Sequence, residues 1–188
     1  MYDISTQGKQ FYSLTSFTHS ASIQQYQDLI AHHDCGVISE AGTPGLSDPG
    51  KELVRLCVDC RYSFEVLPGA NALIPAVVAS GFDTKHFTFY GFMPAKKGRN
   101  SLLSTILQSQ IPCFFYESVH RIVRLVKELK NLGYTGHVSV SREISKIHHQ
   151  HRNGTLDQWD DALTGHHMML KGEWVIGLYP HIKQTDDI

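Results

Sequence analysis

The sequence predicts an α/β protein in two α/β domains, and three observations carry that reading. Short apolar runs alternate with helix-length segments between residues 22 and 80, as a parallel sheet with crossover helices requires. From Lys85 an aromatic run opens a second half in which consecutive strands lie close together, the pattern of a mixed sheet. The 188 residues are 41% hydrophobic and 19% charged, an ordinary globular balance that allows a sizeable core. The change of character near Phe82 to Lys85 sets the expected domains at 1–84 and 85–188.

Ser22 to His32 reads as a helix feeding a short strand at Val37-Ile38. Lys51 to Cys60 follows as a helix suited to packing on a sheet, then Ser63 to Leu67 as a strand broken by Pro68-Gly69. The Ala-rich run Ala70 to Ser80 is the next helix, ending at Gly81, the usual residue just past a helix. In the second half, His86 to Phe92 is an aromatic strand and Met93 to Arg99 a basic loop. A helix over Ser101 to Gln108, a strand over Pro112 to Tyr116 and a long helix over Val119 to Leu132, capped by Gly133, come next. Strands at Val138 to Arg142 and Ile147 to Arg152, a short helix at Leu156 to Leu163 and a final strand at Glu173 to Tyr179 complete the pattern.

Lys plus Arg number 17 against 18 Asp plus Glu, a formal charge of −1, so no global basic field marks a nucleic-acid partner and any such site must be local. No apolar stretch approaches the ~20 residues that span a bilayer, and the polar start lacks a signal-peptide pattern. The expectation is a soluble, cytoplasmic protein without a membrane partner. Cys57 and Cys60 have the spacing of a zinc half-site or redox motif but lack a second half, so buried free thiols are the favoured reading. His148, His149 and His151, and His166-His167, lack strong ligand spacing, and no metal is expected. In an apparent strand, His149 and His151 would share one face and His148 the other.

The densest signal is the stretch Gly36 to Gly50, where an apolar strand runs into a loop rich in Gly, Pro and small hydroxyls. Gly42, Gly45 and Gly50 allow close backbone approach, Pro44 and Pro49 fix φ, and Ser39, Glu40, Thr43, Ser47 and Asp48 offer hydrogen-bonding groups. Two readings stand side by side: a ligand-holding loop at a strand end, and an ordinary turn leading into a helix.

Six further segments follow in order: Leu67-Pro68-Gly69-Ala70-Asn71-Ala72, Ala79 to Arg99, Phe115-Tyr116-Glu117-Ser118-Val119-His120-Arg121, Arg142-Glu143-Ile144-Ser145-Lys146, Gly154-Thr155-Leu156 and Lys171-Gly172-Glu173-Trp174-Val175. With the Ser39–Gly50 loop they resemble the tetrapyrrole-methylase-like class of S-adenosyl-L-methionine-dependent methyltransferases. Within it the match is to the 16S rRNA cytidine 2′-O-ribose methyltransferase branch. Each motif alone is weak, and their shared order makes coincidence very unlikely. Departures are small inside the motifs: Glu40 for Asp, Gly45 for a bulkier residue, Val119 for Pro, Ser145 for Thr. The larger departure is at the start, where Phe11 to Leu14 resembles the family's third strand. Roughly the first 50 to 60 residues of the usual first domain are then missing, leaving a truncated parallel sheet.

The resemblance implies a tetrapyrrole methylase fold with cofactor in the cleft between two domains. It places Glu40, Gly42, Thr43 and Pro44 on S-adenosyl-L-methionine, with Asp48 bracing the loop. It adds Asn71 and Ala72 at a helix start, Tyr116 and Ser118 at a strand end, and Gly154 and Thr155 in a closing loop. The implied chemistry is in-line attack of a ribose 2′-hydroxyl on a sulfonium methyl. Glu117 is the favoured general base, with Glu143 and His120 as alternatives; Glu117 reads equally as a structural carboxylate paired with Arg121 at i+4. Lys96, Lys97 and Arg99, with Arg121, Arg142, Lys146 and Arg152, are the candidate RNA surface, against the plain reading of a solvated loop. Phe89 and Phe92 read as core rather than as base-stacking platforms. The implied partners are 16S rRNA or the small ribosomal subunit and a second copy in a homodimer. Methyl transfer to a tetrapyrrole or other small molecule, and a non-catalytic RNA- or ribosome-binding remnant, are the competing functions.

Overall fold

The computed structural model describes residues 5–14, 20–40, 42–165 and 171–180, without the side chains of 20–23. The chain divides into two compact units, Met1–Ala70 and Asn71–Ile188. The boundary expected at 84/85 therefore falls inside the second unit, because the helix after Asn71 packs on that unit's sheet.

In the first unit, α1 (Ser20–His32) packs against α2 (Lys51–Cys60). Helix α2 matches its expected span, starts at Gly50 (φ 123°) and ends at Arg61 in the left-handed region. The strands expected at Phe11 to Leu14, Val37-Ile38 and Ser63 to Leu67 are corrected: these segments pair with no strand among the described residues. A strand exists only through a neighbour's hydrogen-bond ladder, and here Ile38, Val66 and Leu67 point into solvent. The expected parallel sheet of this part is accordingly not formed by the described residues.

The second unit begins with α3 (Leu73–Ala79), shorter than the expected Ala70 to Ser80. Five strands follow: β1 (Thr88–Phe92), β2 (Cys113–Ser118), β3 (His137–Arg142), β4 (Gln150–Thr155) and β5 (Glu173–Tyr179). They form one mixed sheet in the order β1-β2-β5-β3-β4, with β1 parallel to β2 and all other neighbours antiparallel. Strand β4 starts three residues later than expected, so His148 and His149 lie in the turn before it. Helices α4 (Arg99–Leu107), α5 (Ile122–Asn131) and α6 (Leu156–Thr164) complete the unit, with a 3-10 turn at Val119–Arg121 opening what was expected as one long helix.

Alternation along the strands produces two unlike faces. Cys113, Phe115, Val138, Val140, Trp174, Ile176 and Leu178 join α4, α5 and α6 in the main core. Helix α5 fits because Ile122, Leu125, Val126 and Leu129 fall at i, i+3, i+4 and i+7. On the other face, Phe114 packs with Leu73 and Val77 of α3 and with Phe82, Phe87, Phe89 and Tyr116. Gly177, paired with Phe114, is required there: a Cβ would stand 2.6 Å from the Phe114 ring.

Candidate functional site

The Gly-rich loop of the first unit is stitched to the Pro68–Ala70 turn. Thr43 N–H donates to the Ala70 carbonyl (3.1 Å), and Ser39 Oγ donates to the Gly42 carbonyl (3.1 Å). Gly42 has φ 80°, and a Cβ there would lie 2.0 Å from the Ala70 carbonyl oxygen. A Cβ at Gly69 would meet Thr43 Oγ1 at 2.8 Å. Two motifs far apart in sequence thus meet backbone to backbone, which explains their glycines. Glu40 and Asp48 are exposed, and Thr43 and Pro44 are half-buried. An open hollow beside the loop is lined by Gly45, Ser47, Asp48, Pro49, Lys51 and Glu52.

In the second unit three motifs converge on a buried ion network beneath β2. Arg99 is wholly buried and donates from Nη1 to Glu117 Oε2 (2.6 Å) and the Pro94 carbonyl (3.1 Å), and from Nε to Glu128 Oε2 (2.7 Å). Glu117 Oε1 accepts from Arg121 Nε (2.8 Å) and from the Ser118 N–H (2.7 Å). Arg124 bridges Glu128 (2.7 Å) and the Ala95 carbonyl (3.2 Å). This corrects two expectations. Arg99 is a structural cation, not an RNA contact. Glu117 faces the α4–α5 layer, opposite Tyr116, with both carboxylate oxygens engaged, so it is the structural carboxylate of the paired reading and not a free base. Arg121, held on Glu117, is only partly exposed.

A second knot lies at the same end of the sheet, where β3 ends and β5 begins. Arg142, buried rather than presented to RNA, donates to the carbonyls of Lys171 and His148 and to Gln150 Oε1. Glu143 Oε1 accepts from the Glu173 N–H (2.9 Å) and Lys146 Nζ (3.0 Å), and Lys146 also reaches Glu173 (2.9 Å). The Glu173 amide and the Lys146 ammonium hold the Glu143 carboxyl below its usual range. Glu143, the alternative base, is therefore also occupied, and Lys146 is exposed but paired. His120 is exposed on the 3-10 turn after β2.

The remaining expected cofactor residues do not gather at one place within this unit. Tyr116 and Ser118 lie at the β2 end that pairs with Glu173–Val175 of β5. Burial, with Glu173 nearby, pushes the Tyr116 phenol up. Gly154 and Thr155 lie at the opposite end of the sheet, opposite Val138 and His137. Thr155 caps α6 in a reciprocal box with Gln158, and a Cβ at Gly154 would collide with the Gln158 carboxamide. Asn71 Oδ1 accepts the Ile74 N–H (2.8 Å), and Ala72 is the first turn's cap position, so that helix start is already partly satisfied. Lys96, Lys97 and Arg152 are exposed.

Cys57 and Cys113 are buried free thiols, Cys60 is partly buried and Cys35 exposed; burial raises the Cys57 and Cys113 thiols. Among the described residues no group of three or more His, Cys, Asp or Glu could hold a metal ion. No described helix is long and apolar enough to cross a membrane. His166 and His167 lie outside the described residues. Sequence reasoning missed Glu128, whose partner Arg99 is 29 residues away, and the buried Ser141 Oγ···His151 Nδ1 contact of 2.8 Å. Only the alternation of β3 and β4 residues gave any signal for the latter pair.

The second unit is thus a five-stranded mixed sheet covered on one face by α4, α5 and α6. Residues 7–160 match the family model of tetrapyrrole (corrin/porphyrin) methylases, and the chain belongs to that family. It is 33% identical over 183 residues to the ribosomal RNA small subunit methyltransferase I of Helicobacter pylori, covering 94% of this chain and 63% of that protein. The protein of the same name from Hydrogenobaculum is 32% identical over 171 residues, covering 88% of this chain and 74% of that one. The chain thus spans 63% of the length of the Helicobacter relative. Among solved structures, the methyltransferase CobJ shares the fold at a TM-score of 0.58 and 16% identity, covering 84% of this chain and 70% of that one.

Proposed function

We propose that this chain takes part in S-adenosyl-L-methionine-dependent methylation of the ribose 2′-hydroxyl of a cytidine in 16S rRNA. The observation that carries the reading is the Gly42–Thr43–Pro44 loop locked to Gly69–Ala70, together with relatives named for small-subunit rRNA methylation. The loop fits the cofactor's chemistry: its close-packed backbone forms a wall, Thr43 offers a hydroxyl, and the exposed Glu40 and Asp48 offer acceptors for a cationic, hydroxyl-bearing ligand. When bound, S-adenosyl-L-methionine supplies an electrophilic methyl group on a sulfonium.

The chain's own task is to orient the ribose hydroxyl and take up its proton. With Glu117 and Glu143 both engaged in ion pairs, His120 is the candidate base with no partner among the described residues. The exposed Lys96 and Lys97 supply phosphate contacts. The small ribosomal subunit as substrate form, a cytoplasmic location and a homodimer belong to the same reading.

The test has two parts. Calorimetric titration with S-adenosyl-L-methionine should give binding that Gly42→Val abolishes. Incubation with methyl-labelled cofactor and small subunits lacking the modification should place label on a 16S ribose. Label on a porphyrinoid and not on RNA would overturn the substrate. RNA binding without cofactor binding would establish the non-catalytic remnant instead.

A further inference from the structure

Phe92 closes β1 in a conformation that strand alternation does not predict. The β1–β2 register slips between Phe89 and Phe92, where Gly91 takes φ 66°, so that Phe92 pairs with Tyr116. In an unbroken strand, Phe89 and Phe92 would point to opposite faces. The bulge instead sets both rings against the same residue: Phe89 and Tyr116 centroids are 5.0 Å apart, and Phe92 and Tyr116 are 5.1 Å apart. Phe89 is half-buried and packs against the second core, but Phe92 is 62% exposed. It is therefore not core, as the sequence suggested, but a ring held from behind by Tyr116 with much of its surface in solvent.

The chain leaving Phe92 is equally constrained. Met93 is buried and its N–H donates to the Tyr116 carbonyl (2.9 Å). The carbonyls of Pro94 and Ala95 accept from Arg99 and Arg124 of the buried ion network. Exposed Lys96 and Lys97 follow, at most about 14 and 18 Å of chain from Phe92 and each with a long flexible side chain. An exposed apolar ring followed along a pinned backbone by two exposed, flexible cations is the pairing that a nucleic-acid strand uses, base on ring and phosphates on ammonium groups.

Resting on the rRNA reading above, we propose that Phe92, backed by Tyr116, is a stacking site for one unpaired RNA base, with Lys96 and Lys97 on the flanking phosphates. The occupant is committed by charge: the neighbouring loop is cationic and carries no acidic residue between Met93 and Arg99.

The experiment uses the full chain and a short single-stranded RNA carrying 2-aminopurine, alongside the same strand with an abasic position. Phe92→Ala should weaken binding roughly 5- to 100-fold and remove the quenching of 2-aminopurine, whereas Phe92→Trp should retain both. Its salt dependence should match wild type, because no charge is lost. Lys96→Ala/Lys97→Ala should lower the salt slope by about 1.4 and leave the quenching of whatever RNA is bound intact. Unchanged melting curves would confirm that the exposed substitution leaves the fold in place. Wild-type affinity and quenching in Phe92→Ala would overturn the stacking site while leaving the rRNA reading standing. Equal losses on the base-bearing and abasic strands would overturn it as well. A change in oligomeric mass in Phe92→Ala with no effect on RNA would assign the ring to a second copy of the chain. Absence of RNA binding by the wild-type chain would overturn both this site and the reading on which it rests.

Discussion

Replacing Arg99 separates a structural cation from a nucleic-acid contact. Its guanidinium is wholly buried and serves Glu117, Glu128 and the Pro94 carbonyl. Breaking a buried ion pair from one side costs about 3–5 kcal/mol, because the surviving charge keeps its desolvation penalty without its partner. Here Glu117 retains Arg121 and the Ser118 amide, and Glu128 retains Arg124, so the loss in Arg99→Met should fall near the lower end, about 3 kcal/mol. For a chain of this size that lowers the melting midpoint by on the order of 10 °C. The assay is urea and thermal unfolding followed by tryptophan fluorescence, since the only two tryptophans, Trp159 and Trp174, both lie in the second unit's core. Arg99→Lys should recover only part of the loss, as an ammonium cannot span two carboxylates and a carbonyl with a planar fork. A cycle with Glu117→Gln should show coupling between the two positions. A loss below about 1 kcal/mol, or weaker RNA binding with an unchanged melting midpoint, would refute the reasoning.

Gly42→Ala should abolish cofactor binding by calorimetry while the tryptophan-reported melt holds, because its Cβ would meet the Ala70 carbonyl at 2.0 Å within the first unit. Thr155→Val removes the α6 cap and should cost about 1 kcal/mol in the same melt with no change in cofactor affinity; the reverse pattern would return Thr155 to the cofactor contacts. Burial holds the His151 imidazole below its ordinary 6.5, with Ser141, Asn153 and His149 around it. The unfolded chain then binds that proton more readily, so this contribution to stability is present above pH 6.5 and is lost as the pH falls through the folded value. His151→Gln should flatten the wild-type stability profile below neutral pH, and parallel profiles would contradict the assignment.

Much of the second unit was legible because its signals are local. The apolar positions of α5, the Gly133 stop and the β-rich run Glu173 to Tyr179 each follow from residues near in sequence. The i+4 pairing of Glu117 with Arg121 was readable for the same reason. The Arg99 network was not, since Arg99 meets partners 18 and 29 residues away, and a basic run in sequence reads as surface whichever of its members turns inward. Phe92 failed for a related reason: a one-residue bulge reverses the face that alternation assigns. The strands expected in the first unit failed because extended, β-prone segments specify a shape and not a partner.

The sequence by itself determined the family, the order of the motifs and the helix-strand pattern of the second unit, because these rest on residue identity and short-range periodicity. Tertiary structure alone decided which charged residues are buried, which motifs meet and which aromatic ring faces solvent. Those outcomes depend on contacts between distant segments, where desolvation leaves a cation either paired in the interior or hydrated outside. That choice divides the basic loop, sending Arg99 into the core and leaving Lys96 and Lys97 on the surface beside Phe92.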